Sequence, residues 1–298
     1  MAGSQNKGLR VYAGTMGVYV MKGADMSYLR CRSIALIGVL ALVCTVSSNA
    51  QSPDNLTEEQ IRDFLLNAKV INFKQSSIGI TRPYQLILSN GSLTHDASFQ
   101  SVDEYKPVMQ FDDGHTEVNF RDSYKYNIAA FELAKMLGLG DMMPVTIERK
   151  WEGKTGSLSW WLPSKMSERQ RREKHIQIPD RTAWNKQWNK IMVFMELVYD
   201  TDRNRTNVLI SEDWHLWMID FTRAFRLYTT LAEPKNLVMC DRLLLKKLRQ
   251  LDAAELEQKI KNWLNKEEIK GLMARRDKIV ALFESFIAKK GEKAVIYD

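Results

Sequence analysis

The sequence predicts an α+β protein of two lobes, a small β-rich N-terminal lobe with one helix (residues 51–163) and a larger helical C-terminal lobe (164–298). Between residues 70 and 120, short β-rich runs alternate with turn signals. After Pro163 the sequence favours helices almost to the end, interrupted by one β-hairpin. With 45% hydrophobic and 27% charged residues in a chain of 298, the composition is typical of a globular protein with a sizeable core.

The first 50 residues are predicted to be a leader. Arg30 and Arg32 precede an apolar run at 34–46, and small residues follow it up to Ala50. This order is typical of a signal peptide, here at about 26–50, and predicts export to the periplasm or the cell exterior. The run is shorter than the roughly 20 residues of a membrane span. Membrane contact is therefore expected only through the leader, if it is retained; a buried core helix is the alternative interpretation.

Charge and cysteine content narrow the function classes further. The formal net charge is +7, of which the leader supplies +4, so the rest of the chain carries only +3. A nucleic-acid partner is not indicated by such a balance. Cys31 and Cys44 lie in the leader, so the exported chain would keep Cys240 alone and form no internal disulfide.

The elements of the first lobe follow from turn and capping signals. Thr57 and Gln60 are spaced to open a helix at 61–68. Asn90-Gly91, between two apolar runs, is a strong hairpin signal. The strands are predicted at 69–73, 84–88, 97–102 and 108–111, with a further turn at 112–114.

The later elements follow in the same way. Apolar residues at three- and four-residue spacing predict a helix at 122–137, ended by Gly138. Strands are then expected at 145–149 and 157–162, and a hairpin at 208–210 and 216–219. The basic stretch 165–174 is interpreted as a solvated helix face, with contact to a phosphate or an acidic surface as the alternative.

The residues that suggest chemistry surround the predicted hairpin. Asp202 is followed five residues later by Asn207, and Asp220 comes thirteen residues after Asn207, at the end of the second strand. Transfer of a phosphoryl group to a hydroxyl needs a carboxylate to orient that hydroxyl and oxygen ligands to hold Mg²⁺ across the phosphates. The three side chains supply this set, although carboxylates that merely cap turns are an alternative. Asp200, seven residues before Asn207, is predicted to cap a turn.

The spacing resembles the catalytic loop and metal-binding Asp of the protein-kinase-like superfamily. The letters of 202–207 are similar to those of phosphatidylinositol 3- and 4-kinases, while 128–133 and 156–163 resemble segments of secretory-pathway and HipA-type kinases. The resemblance implies a two-lobed kinase-like fold, with ATP and Mg²⁺ or Mn²⁺ as cofactors. It implies Asp202 as the catalytic base, Arg203 beside it bracing the loop, and Asn207 and Asp220 as metal ligands. The acceptor would be an unidentified molecule with a hydroxyl group.

Two residues differ from the kinase pattern at positions that serve nucleotide binding in kinases. Kinases place a Lys on the third strand and pair it with a helix Glu, but here Gln100 and Asn127 fall at those positions. Both charges are absent together, which indicates a paired replacement. A neutral amide does not offset phosphate charge as an ammonium does. Lys106 is the first choice for a substitute cation, followed by Arg121 and Lys125.

Other positions leave the activity open. The segment 76–81 holds a single glycine, Gly79, so it is either a phosphate cover or a plain turn. Arg223 and Arg226 are expected to form structural ion pairs rather than to contact phosphates. An active atypical kinase is the first hypothesis. A pseudokinase that binds a nucleotide or a partner without turnover, or a nucleotidyltransferase, is the alternative.

Overall fold

The computed structural model of the protein describes residues 56–76, 82–112, 114–202 and 204–298. The predicted leader, Gly79 and Arg203 lie outside these residues. The described part is α+β, as predicted, with its larger sheet in the N-terminal half and most of its helices in the C-terminal half. No helix in it is both long and apolar enough to cross a membrane.

Helix α1 (Glu58–Asn67) opens the described chain. Thr57 caps it through a reciprocal capping box, in which its side chain accepts from the amide of Gln60 and the Gln60 side chain accepts from the Thr57 amide. The helix buries Phe64 and Leu65. The predicted helix at 61–68 is therefore present but begins three residues earlier, at its cap.

An antiparallel sheet of five strands forms the N-terminal lobe. The strands are β1 (Lys69–Gln75), β2 (Tyr84–Ser89), β3 (Thr94–Gln100), β6 (Thr146–Trp151) and β7 (Lys154–Trp160), and their order in the sheet is β1-β2-β3-β7-β6. The Asn90-Gly91 turn joins β2 to β3, with Gly91 at φ +92°, a left-handed conformation that favours glycine. Apolar residues of α1 and the sheet form the smaller of two cores.

A separate two-stranded ribbon, β4 (Asp103–Gln110) and β5 (Thr116–Ser123), is inserted between β3 and the next helix. The strand predicted at 108–111 is only the far end of β4, and β5 was not predicted. Most of the ribbon is solvent-exposed, including Tyr105, Val108 and Val118. The alternation that marks a half-buried strand is therefore missing from its sequence.

Helix α2 (Lys125–Leu137) follows the ribbon and ends at Gly138, which caps it at φ +74°. It begins three residues later than predicted, because β5 continues to Ser123. Its buried apolar residues, Phe131 and Leu133 among them, belong to the larger core that the C-terminal helices form. This packing places α2 between the sheet and the C-terminal helices.

The C-terminal half consists mainly of helices, but it contains more strands than the single predicted hairpin. That hairpin is present as β9 (Val208–Ile210) and β10 (Leu216–Met218), and β8 (Met166–Ser167) pairs with β9. A second small sheet pairs β11 (Cys240–Asp241) with β12 (Ile296–Tyr297). Two-residue strands are too short to leave a periodic pattern. The helices are α3 (Glu168–Glu173), α4 (Arg181–Val198), α5 (Arg242–Gln250), α6 (Ala253–Ile260) and α7 (Lys266–Lys290).

The basic stretch 165–174 contains α3. Arg171 and Arg172 both pair with Glu168, and Arg169 pairs with Glu173. The arginines thus interact with carboxylates of their own helix. The face is only partly solvated, because the Arg169–Glu173 pair is exposed whereas Glu168 is buried.

Candidate active site

The loop between α4 and β9 carries the predicted catalytic residues. Helix α4 ends at Val198, and the next residue, Tyr199, turns the chain out of the helix with a φ of +49°. Asp200 is 3% exposed, and its Oδ1 accepts a hydrogen bond of 3.0 Å from the amide of Asp202. The turn-capping role predicted for Asp200 matches this contact, which fixes the backbone at Asp202.

Asn207 closes the same loop. Its Nδ2 donates to the backbone oxygen of Asp202 at 3.2 Å, and its own backbone oxygen accepts from the amide of Ile219 at 3.0 Å. The second bond holds the start of β9 next to the residue that precedes Asp220. The structure therefore brings Asp202, Asn207 and Asp220 to one place, at the open end of the β9–β10 hairpin.

Asp220 adopts a left-handed backbone conformation, with φ +58°. Its Oδ1 accepts from Gln100 Nε2 at 3.3 Å and from the hydroxyl of Thr222 at 3.3 Å. Burial raises the pKa of the Asp220 carboxyl, and the charges of Asp202 and Asp122 raise it further, while the two hydrogen bonds oppose the shift. Among the described residues, two neutral donors, Gln100 and Thr222, are hydrogen-bonded to the Asp220 carboxylate.

Gln100 and Asn127 are joined as the sequence predicted for a paired replacement. Asn127 Nδ2 donates to Gln100 Oε1 at 2.5 Å and also lies 3.2 Å from the Ser157 hydroxyl. Asn127 Oδ1 accepts from the amide of Phe221 at 2.7 Å. A chain of neutral hydrogen bonds therefore connects α2, β3 and the residue after Asp220, where kinases have an ion pair.

Gly156 allows this chain to form. A Cβ atom at this position would lie 2.3 Å from the backbone oxygen of Gln100 and 2.8 Å from the ring of Phe99. Because both neighbours belong to β3, a side chain on Gly156 would push β3 away from β7 and displace Gln100.

We expect Gly156→Ala to lower the free energy of unfolding by about 1–3 kcal/mol, the usual cost of overpacking. Urea denaturation measures the change. Gly140→Ala is the control, because its Cβ would mainly meet the flexible side chain of Lys135, at 3.1 Å. Equal stability of the two variants would contradict the close contact between β7 and Gln100.

The three candidate substitutes for the missing lysine have other partners. Lys106 pairs with Glu104 at 2.8 Å, and Lys125 pairs with Asp103 at 2.7 Å. The guanidinium of Arg121 lies over the ring of Tyr105, and its Nε is 4.0 Å from Glu268. Within the described ranges, no ion pair joins Asp220 to a basic side chain.

Sequence reasoning missed Glu117, on the inserted ribbon. It is 8% exposed and accepts from Arg226, which is 4% exposed, and from Arg223 at 3.4 Å. Both guanidinium groups also lie over the ring of Phe120. The structural pairing expected of Arg223 and Arg226 is confirmed, and it fastens the ribbon to the segment that follows Asp220.

Asp122, at the base of the ribbon, was missed as well. It is 9% exposed, and its buried Oδ1 has no hydrogen-bond partner among the described residues. Burial raises the pKa of its carboxyl, although the Thr222 hydroxyl and the charges of Arg223 and Arg226 act in the opposite direction. No sequence signal marked this residue, because its neighbours in space lie about 100 positions further along the chain.

The fold is shared with kinases of known structure. No family model matches the chain, and no curated protein matches its sequence. The structure of hydra Fam20 with sugar superposes with a TM-score of 0.60 at 13% identity, over 80% of this chain and 92% of that one. The Golgi casein kinase superposes with a TM-score of 0.57 at 12% identity, over 82% and 79%. The chain therefore has a protein-kinase-like fold, as the sequence resemblance predicted.

Proposed function

We propose that the protein is an ATP-dependent phosphotransferase that transfers the γ-phosphate to a hydroxyl group of an unidentified acceptor. The observation that carries the proposal is the convergence of Asp202, Asn207 and Asp220 at the open end of one hairpin. Asp202 would orient the acceptor hydroxyl and take its proton, and Asn207 and Asp220 would hold Mg²⁺ or Mn²⁺.

The donor set fits a hard divalent cation. Asp220 supplies carboxylate oxygens and Asn207 an amide oxygen, which are the ligand types that Mg²⁺ and Mn²⁺ accept. A bound cation would neutralise charge on the phosphates of the nucleotide. Among the described residues, no three His, Cys, Asp or Glu side chains are grouped closely enough to hold a metal ion. The phosphates would therefore complete the coordination.

The remaining residues have supporting roles in the proposal. Gln100 and Asn127 would position Asp220 through their hydrogen bonds. Arg203 would brace the catalytic loop, and Gly79 would lie in the segment that covers the phosphates. To contact the phosphates, Lys106 would have to break its ion pair with Glu104 and pair with the nucleotide instead.

The setting of the reaction also belongs to the proposal. The apolar run at 34–46 and the small residues that follow it support export of the protein through a signal peptide. The acceptor would then be a molecule met outside the cytoplasm, and neither a nucleic acid nor a membrane is required. The kinase fold of Fam20 and of the Golgi casein kinase is compatible with this setting.

A nucleotide-binding pseudokinase is the second candidate. The neutral pair of Gln100 and Asn127 favours it, because the positive charge that holds the α- and β-phosphates in kinases is absent from β3. Binding without turnover would still use Asn207 and Asp220.

We expect ATP with Mg²⁺ or Mn²⁺ to raise the melting temperature of the protein, and ATP with a chelator to have a much smaller effect. Loss of the γ-phosphate over time would then distinguish a kinase from a pseudokinase. Asp220→Asn should abolish the metal-dependent part of the shift. Glu212→Gln, a change at an exposed residue of the same hairpin, is the control. A shift that does not depend on the metal, or that survives in Asp220→Asn, would contradict the assigned ligands.

A further inference from the structure

A cavity of about 430 Å³ lies between the inserted ribbon, the start of α2 and the start of α7. Its size is in the range of small-molecule binding sites, about 300–1,000 Å³. In the described structure its lining includes none of Asp202, Asn207 and Asp220. Residues 225–227 form one wall, so a ligand in the cavity would contact the segment that follows Asp220.

Aromatic and aliphatic side chains form much of the lining. The buried rings of Tyr126 and Phe225 lie next to each other, with centroids 5.5 Å apart. Tyr105 of the ribbon and Leu227 also line the cavity, and they are 51% and 44% exposed. Apolar surface that is left in contact with water around a cavity favours a ligand with an apolar body, because binding removes this surface from water.

The carboxylates of the lining already have partners within the protein. Glu268 is 3% exposed, and its two oxygens accept from the hydroxyl of Tyr126 and from the amide of Asn265. Glu267 lies 3.7 Å from Lys270 of its own helix. Neither carboxylate therefore needs a cationic ligand.

Two basic side chains of the lining are less well neutralised. Among the described residues, the guanidinium of Arg121 has no hydrogen bond, and its one recorded ion pair, with Glu268, is at 4.0 Å. Lys266 is exposed at the start of α7 and forms no ion pair with a described residue. Arg226 differs, because it pairs with Glu117. The charge left over in the cavity is thus positive and comes from two separate elements, β5 and α7.

We propose that this cavity binds a small organic anion, in which a carboxylate or phosphate group is carried on an apolar or aromatic body. Arg121 and Lys266 would bind the anionic group, since an arginine presents parallel N–H donors that match the oxygens of both groups. The body would pack against the rings and Leu227. The ligand binds in addition to the nucleotide and needs neither nucleotide nor metal, so the inference goes beyond the proposed function and does not depend on it.

A simple probe tests the site. 3-Phenylpropionate combines a carboxylate with a phenyl ring, and its binding to the full-length protein is followed by ligand-observed nuclear magnetic resonance, with a chelator present and without nucleotide. We expect a dissociation constant on the order of 1 mM, as for other ligands of this size. 3-Phenylpropanol, which has the ring without the charge, and acetate, which has the charge without the ring, should each bind at least about tenfold more weakly.

Variants identify the cavity as the place of binding. Arg121→Gln should weaken the binding of 3-phenylpropionate at least about tenfold, and Arg121→Lys, which keeps the charge, should fall between that variant and the unmodified protein. Leu227→Trp should also weaken it, because a larger side chain at this exposed position fills part of the cavity and leaves the core unchanged. Lys125→Gln is the matched control, since it removes one positive charge from the start of α2, outside the lining, and should leave the affinity unchanged.

Four results would each overturn the site. They are the absence of binding to the folded protein, equal binding of the uncharged 3-phenylpropanol, an unchanged affinity in Arg121→Gln or Leu227→Trp, and a loss in Lys125→Gln as large as that in Arg121→Gln. All four would leave the proposed function intact, because the measurements contain no nucleotide and no divalent metal.

Discussion

Asp202→Ala is expected to slow phosphoryl transfer by about 10²–10⁴-fold, the usual contribution of a general base, and to leave metal-dependent nucleotide binding close to that of the unmodified protein. The reason is the position of the side chain. Asp202 Oδ1 accepts from the Asn204 side chain at 2.8 Å, whereas the contact that closes the loop uses the backbone oxygen of Asp202. Truncation therefore removes the carboxylate and keeps Asn207 in place.

The measurements are γ-phosphate release under saturating nucleotide and the thermal shift with nucleotide and metal. Asp200→Asn is the matched control, because an Asn side chain keeps an oxygen that can accept from the Asp202 amide. Asp200→Ala would be a poor control, since Asp200 is buried and supports the loop. Full ATP consumption by Asp202→Ala, or its loss in a folded Asp200→Asn, would show that the residues are assigned to the wrong positions of the kinase-like loop.

Features built from residues close in sequence were predicted well. The capping box at Thr57, the Asn90-Gly91 turn and the β9–β10 hairpin each depend on a few adjacent residues, and all three are present. Gln100 and Asn127 were predicted as a pair although they lie 27 positions apart, because the resemblance to kinases supplied the alignment. Their contact with each other is seen in the structure.

Features that depend on distant residues were not predicted. Glu117 contacts Arg226, 109 positions later, and no local pattern reports such a contact. Asp122 looked like the start of α2, but it lies in β5, where burial and the nearby Thr222, Arg223 and Arg226 determine its environment. Both residues lie on the exposed ribbon. Because the ribbon lacks the alternation of a half-buried strand, only the far end of β4 was predicted and β5 was not. Glu117 and Asp122 both lie against the segment after Asp220. There the ribbon, the loop after α4 and that segment contact one another.

Glu117→Ala is expected to lower the free energy of unfolding by about 3–5 kcal/mol, the cost of leaving one member of a buried ion pair without its partner. Arg226 would keep its hydrogen bonds to the backbone oxygen of Arg121 at 2.8 Å and to the Thr201 hydroxyl at 3.2 Å, but its charge would face no carboxylate of the described residues at ion-pair distance. Because Arg223 pairs with the same glutamate, the ribbon would also lose its second attachment.

Chemical denaturation of the variant gives the stability change, and proteolysis of the native protein reports whether the ribbon has come loose. Glu117→Gln, which keeps the size of the side chain and one acceptor oxygen, should fall between the unmodified protein and Glu117→Ala. Glu104→Gln on the same ribbon breaks an exposed pair with Lys106 and should change stability by less than about 1 kcal/mol. If Glu117→Ala were no less stable than Glu104→Gln, the ribbon would not be held by this ion pair. The hydrogen bonds from Ser123 to the Thr222 backbone oxygen and from Arg226 to the Arg121 backbone oxygen would then be the ones that join β5 to the segment after Asp220.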